Sequence, residues 1–105
     1  MIINKKDFLL KIKKNKYSII DFWAPWCSPC IYIKDIINEV MYIYKNKIKC
    51  YKINIDKNNF LSKKYNILSI PTLIFFIKGK EKKRNIGILT KKKLINLCEK
   101  IINNN

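Results

Sequence analysis

An α/β fold, with a mixed sheet carrying helices on both faces, is predicted by three observations. Short runs of β-branched and aromatic residues alternate with segments whose apolar residues recur every three or four positions. The stretch TLIFFI, residues 72–77, is apolar at every position, as expected of a central strand covered on both sides. Gly79 then turns the chain into KEKKRN, a connection too short for a crossover, so the last two strands pair antiparallel at an edge.

The elements follow in order. Ile2–Ile3 offers a short first strand. Lys5 to Lys14 reads as a helix, with Phe8, Leu9 and Ile12 on one side and Asn4 as its cap. YSIIDFW, residues 17–23, is a buried strand. A long helix runs from Ser28 to Tyr44, where Ile33, Ile36, Ile37, Val40, Met41 and Tyr44 share a face. Pro29 suits its first turn, which has no intrahelical N–H bond to lose. KIKCYKINI, residues 47–55, is a strand, and Asn59 to Tyr65 is a short helix. The charged KEKKRN strand discourages sheet-to-sheet association. Thr90 caps a last helix with Leu94, Leu97, Cys98 and Ile101 on its apolar stripe. Lys91–Lys93 sit at the wrong end of that helix for its dipole and are expected near the active-site face, attracting acidic targets. Helices between strands imply a parallel core.

The 105 residues suit one domain, 1–105, with no linker or repeat. Ile, Lys and Asn number 22, 22 and 13, and all three have A/T-rich codons. Codon bias is therefore a sufficient source for the net charge of +16, and the lysines are spread along the whole chain. Neither nucleic-acid binding nor membrane association is expected. No targeting segment is evident in MIINKKDFLL, and the longest apolar run, ILSIPTLIFFI, is about half a membrane span. The reading is a soluble, cytoplasmic monomer in a reducing compartment.

The informative stretch is DFWAPWCSPC, residues 21–30. Its cysteine pair could bind metal, form a structural bridge, act as a nucleophile or carry electrons reversibly. Cys27 falls at the mouth of the long helix and Cys30 in its first turn, so the two face the same side within disulfide reach. The unpaired N–H groups there stabilise a thiolate, and Cys27 is expected to ionise in the range of about 3.5 to 7.5. An exposed nucleophile beside a resolving thiol is what thiol–disulfide exchange requires. Zinc needs four N, S or O ligands; the chain has no histidine, and Cys50 and Cys98 form no second close pair. Those two cysteines read as core packing.

These residues resemble the thioredoxin family. DFWAPWCSPC, SIPT 40 residues later, INID at 53–56, KGKE at 78–81 and Gly87 carry the resemblance over nearly the whole chain. It implies the thioredoxin fold, a mixed five-stranded sheet in the order 1-3-2-4-5 with four helices. It also implies a protein disulfide reductase in which Cys27 attacks and Cys30 resolves. Asp21 would be the buried carboxylate behind Cys30; the apolar setting IIDFW raises its pKa and suits it to take a proton. Lys52 would tune that acid. Trp23 and Trp26 would border the sulfurs. Pro71 would follow a cis bond, placing Ile70 beside Cys27, and Ile70, Gly87 and Trp26 would form an apolar rim for targets. Two departures stand out. Ser28-Pro29 replaces the usual Gly-Pro and bears on the redox poise. Asp35 replaces a kinking proline, so the long helix is expected to run straighter.

The implied partners are protein disulfide substrates and a thioredoxin reductase. No cofactor is expected beyond the Cys27–Cys30 pair, since two glycines cannot build a dinucleotide loop. Two other readings keep the fold: an oxidant or isomerase, and a non-catalytic binding module using the lysine-rich surface.

Overall fold

The computed structural model describes residues 5–103. Eight elements follow one another: α1 Lys5–Lys14, β1 Tyr17–Trp23, α2 Ser28–Ile43, β2 Ile48–Asn54, α3 Asn59–Lys64, β3 Thr72–Ile77, β4 Lys80–Ile86 and α4 Lys91–Asn103. The described strands form one sheet in the order β2-β1-β3-β4. This is the expected order without its first strand; Ile2–Ile3, and the Asn4 cap, lie outside the described residues.

The strands pair in two senses. β1 and β2 run parallel, with Asp21 opposite Lys52. β3 is antiparallel to both β1 and β4. Among the described strands, the parallel core expected from the element order is one pair, β1 with β2. The connection through α3 leaves the chain at the end where β2 finishes, and β3 starts there, with Thr72 opposite Phe22.

Alternation along the strands sends side chains to two cores. Ile19, Leu73 and Phe75 meet Ile33, Ile37 and Val40 of α2 and Leu94, Cys98 and Ile101 of α4. Ile20, Phe22, Ile74 and Phe76 meet Phe8 and Ile12 of α1 and Leu61 of α3. Helices thus cover both faces. α2 is unbroken for 16 residues through Asp35, as a helix without an internal proline should be.

Thr90 Oγ1 accepts the Lys93 N–H at 3.1 Å, the bond of an N-cap. Replacing Thr90 by Ala is expected to cost about 1 kcal/mol, read by denaturant unfolding. Replacing it by Ser should cost little.

Candidate active site

The site stands where β1, β2 and α2 meet. β1 ends on Trp23, and Ala24 O accepts the Cys27 N–H at 3.2 Å, so the loop closes tightly before α2. Cys27 is the N-cap of α2, and its Sγ accepts the Cys30 N–H at 3.2 Å. A donor that the first helical turn would leave unpaired is therefore aimed at sulfur. Cys27 and Cys30 are joined as a disulfide, with Cα atoms 5.3 Å apart. Ser28 and Pro29 between them face solvent.

The expected exposed nucleophile is not what this closed state presents. Cys27 and Cys30 are each 5% exposed. They form a small core of their own with Ala24, against which Trp23, Ile55 and Ile70 pack. Ile70 is brought there by the loop before β3, where the Ile70–Pro71 bond is cis. Pro71 O accepts the Gly87 N–H at 2.8 Å, which ties the end of β4 to the same loop. Gly87 has φ +90°, and nothing lies near the position a Cβ would take. A side chain there meets backbone strain rather than a clash.

Behind Cys30 lies a pocket of about 320 Å³ lined by Asp21, Trp23, Pro25, Cys30, Ile31, Lys34 and Lys52. Asp21 is 4% exposed, and its Oδ1 has no hydrogen-bond partner among the described residues. Burial pushes its carboxyl up from 3.8 to about 6, and the Lys52 ammonium offsets part of that rise. Lys52 is half-buried on the neighbouring strand. Trp23 Nε1 is likewise buried without a partner. Lys34 was not singled out from the sequence. It stands four residues past Cys30, one turn along α2, a spacing that offered the signal.

Trp26 is 66% exposed, and its Nε1 donates to Asp56 Oδ2 at 2.8 Å. Asp56 is held in turn, since its N–H donates to Asn54 Oδ1 at 2.9 Å. INID was legible as a motif, but the anchoring role of its aspartate was not. Trp26 also shares a groove with Ile55, Ile67, Leu68, Ser69 and Ile70. Leu68 is 96% exposed and was not anticipated as part of an apolar rim.

The remaining candidates fall elsewhere. Cys50 and Cys98 are unpaired thiols, and burial pushes each up to about 12. Neither is a thiolate near neutral pH. No group of three or more Cys, Asp or Glu among the described residues is arranged to hold a metal. Lys91 pairs with Glu39 at 3.2 Å. Glu39 stands about two and a half helical turns beyond Cys30 on α2.

Comparison with known proteins agrees with this geometry. The thioredoxin family model matches residues 1–100. The chloroplastic M-type thioredoxin of Pisum sativum is 48% identical over 80% of this chain and 49% of its own length. The thioredoxin of Rickettsia bellii is 38% identical over 98% of this chain and 95% of its own. A solved structure of Plasmodium falciparum thioredoxin superposes with a TM-score of 0.87 at 30% identity, covering 94% of this chain and 96% of that one. The chain spans about half the length of the pea relative, and 52% of that from Brassica napus. The cytoplasmic placement expected from the sequence is overturned by these relatives, since chloroplastic M-type proteins recur among them. Composition and thiol count speak only to a reducing setting, which a plastid shares with the cytosol, so they had no power to separate the two. With its motif holding the closed sulfur pair and a bacterial relative aligned nearly end to end, the chain belongs to the thioredoxin family.

Proposed function

We propose that residues 1–105 form one redox domain that reduces disulfides in other proteins. The observation that carries this reading is the Cys27–Cys30 bond at the N-terminus of α2, with a buried carboxyl of raised pKa behind it. In the reduced form, Cys27 attacks one sulfur of a target disulfide. A mixed disulfide forms and one target thiolate leaves. Cys30 gives its proton to Asp21 and attacks the Cys27 sulfur, which releases the second target thiolate and closes the pair. Two electrons pass to the target. The closed pair then needs two electrons from a separate dithiol reductase.

The burial of the closed pair has a consequence for targets. Ile70 packs against it and shares a groove with Trp26, Gly87 is tied to the same loop through Pro71 O, and an extended target segment lying against Ile70 brings its sulfur to Cys27. Lys52 restrains the rise of the Asp21 pKa, and Ser28 sits exposed beside the sulfurs. The names of the M-type relatives favour a plastid as the working compartment. Imaging the tagged full-length gene product against a plastid marker tests that placement.

The test of the chemistry is a trap. Cys30→Ser is expected to accumulate mixed disulfides with protein targets, released by added dithiol and absent when Cys27 is also replaced. Failure to capture any disulfide-linked target, with Cys27 still open to alkylation, overturns the mechanism.

A further inference from the structure

Along the sequence the lysines look scattered, but the fold gathers a set of them at the sheet end opposite the sulfur pair. β1 and β2 begin at that end, β3 stops there and β4 starts there. Lys16, Lys47, Lys78 and Lys80 therefore converge. The Lys78 N–H donates to Lys16 O at 2.8 Å. Lys16 and Lys47 line one concavity with Tyr17, Asn46 and Ile102. Lys13 lies across the hairpin turn, its Cγ 3.1 Å from where a Cβ of Gly79 would stand. Lys45 follows α2 at the same end.

Among the described residues three carboxylates lie toward this end, and each is engaged: Glu39 pairs with Lys91, Glu81 pairs with Arg84, and Glu99 accepts a hydrogen bond from Tyr44. Helix dipoles account for lysines at the ends of α1 and α2. They do not account for those at the strand ends, where like charges repel without aiding the fold. Codon bias explains how many lysines the chain has and not which of them the fold brings together here.

Apolar groups stand among these charges. Tyr42 is 70% exposed and Ile43 56% exposed. Lys45 Nζ lies 4.1 Å above the Tyr42 ring, and Ile43 shares a concavity with Lys47. Lysine heads beside an exposed tyrosine and isoleucine are the pairing that suits a bilayer interface. The set contains no arginine to grip phosphate in two places, and no row of aromatics for stacking bases. Among the described residues no helix is long and apolar enough to cross a membrane, so the contact is with its surface.

We propose that this end of the molecule docks on an anionic lipid bilayer. The sulfur pair, about 20 Å away along the strands, then faces outward and stays open to targets. The surface is separate from the reductase reading and survives or fails without it.

The test is co-sedimentation of the full chain with vesicles of about three parts phosphatidylcholine to one of phosphatidylglycerol, at about 0.1 M salt. Binding is expected there, with none to pure phosphatidylcholine. Each lysine near such a surface contributes roughly a fivefold factor. Lys16→Glu, Lys47→Glu and Lys78→Glu combined should thus weaken binding about a hundredfold or more. Lys57→Glu, Lys63→Glu and Lys64→Glu combined change the net charge equally and should weaken it far less. Near-ultraviolet circular dichroism of both variants verifies that each keeps its fold. The proposal is overturned by no binding to the anionic vesicles, by equal losses in the two variants, or by duplex DNA engaging the same lysines while vesicles do not.

Discussion

Replacing Asp21 by Asn is expected to stabilise the folded protein by about 3 kcal/mol at pH 7 and to leave its stability nearly unchanged below about pH 4. The argument rests on where the carboxyl sits. Asp21 is almost wholly buried, and its pKa rises from 3.8 to about 6 in the fold. Between those values the native state holds a proton that the unfolded chain has lost, so stability falls as pH rises through that window. Above about pH 6 the penalty is fully present, and 1.36 kcal/mol per pH unit over the rise gives the figure. Below about pH 4 both states are protonated, and Asn resembles the neutral acid. Around Asp21, Lys52 lowers its pKa, Lys34 lines the same pocket, and Cys50 is a neutral thiol at these pH values. Denaturant unfolding from pH 4 to pH 8 measures the difference. A constant gap between the proteins would mean that Asp21 is not titrating in the native state. The same variant should reduce disulfides up to about a hundredfold more slowly, the lower end of what a positioned base contributes. It should also lose the rise in rate as pH passes 6. Loss of rate together with a gain in stability would assign Asp21 to the chemistry of Cys30 rather than to the fold.

How much of this was legible in the sequence depends on the range of the forces involved. Local patterns reported the local elements closely. The β3 run is all apolar or β-branched, β1 is so apart from Ser18 and Asp21, and Ala24-Pro25 and Lys78-Gly79 follow them, so their bounds follow from composition. Pro29 and Thr90 marked helix starts through capping chemistry that acts within four residues. Asp21 was legible because one acid among IIDFW has few reasons to exist. The sense of β3 was not legible, because it depends on where the connection through α3 leaves the chain and no pairing signal reports that. The burial of Cys27 was missed for a related reason. Helix geometry places the sulfur, but Ile70 reaches it from 43 positions away through the Pro71 loop. The Trp26–Asp56 bond spans 30 positions and follows from the parallel register of β1 on β2, which delivers Asn54 and Asp56 beside the start of α2. The lysine end likewise exists only once four strand ends have been brought together.

Replacing Cys27 by Ser is expected to lower the catalysed reduction of a small disulfide-bonded protein by about a thousandfold or more, since a lost nucleophile costs on that scale or beyond. No other sulfur in the molecule can substitute. Cys98 is fully buried, and burial holds both it and Cys50 near 12, where almost no thiolate exists at neutral pH. Cys30 lies within the first turn of α2 and is turned toward the Asp21 pocket. It is placed to attack the Cys27 sulfur rather than an incoming target. Cys30→Ser should therefore fail differently. It should form one mixed disulfide per molecule and then stall, so a single stoichiometric burst replaces turnover. Its remaining Cys27 should react with iodoacetamide faster than an ordinary cysteine does, the mark of a thiolate held by the α2 N-terminus and the Cys30 N–H. The pairing of outcomes carries the assignment. Equal loss without a burst in both variants would mean that the two sulfurs act as one structural unit. A burst from Cys27→Ser instead would reverse their roles and move the attacking group to the pocket side of the helix.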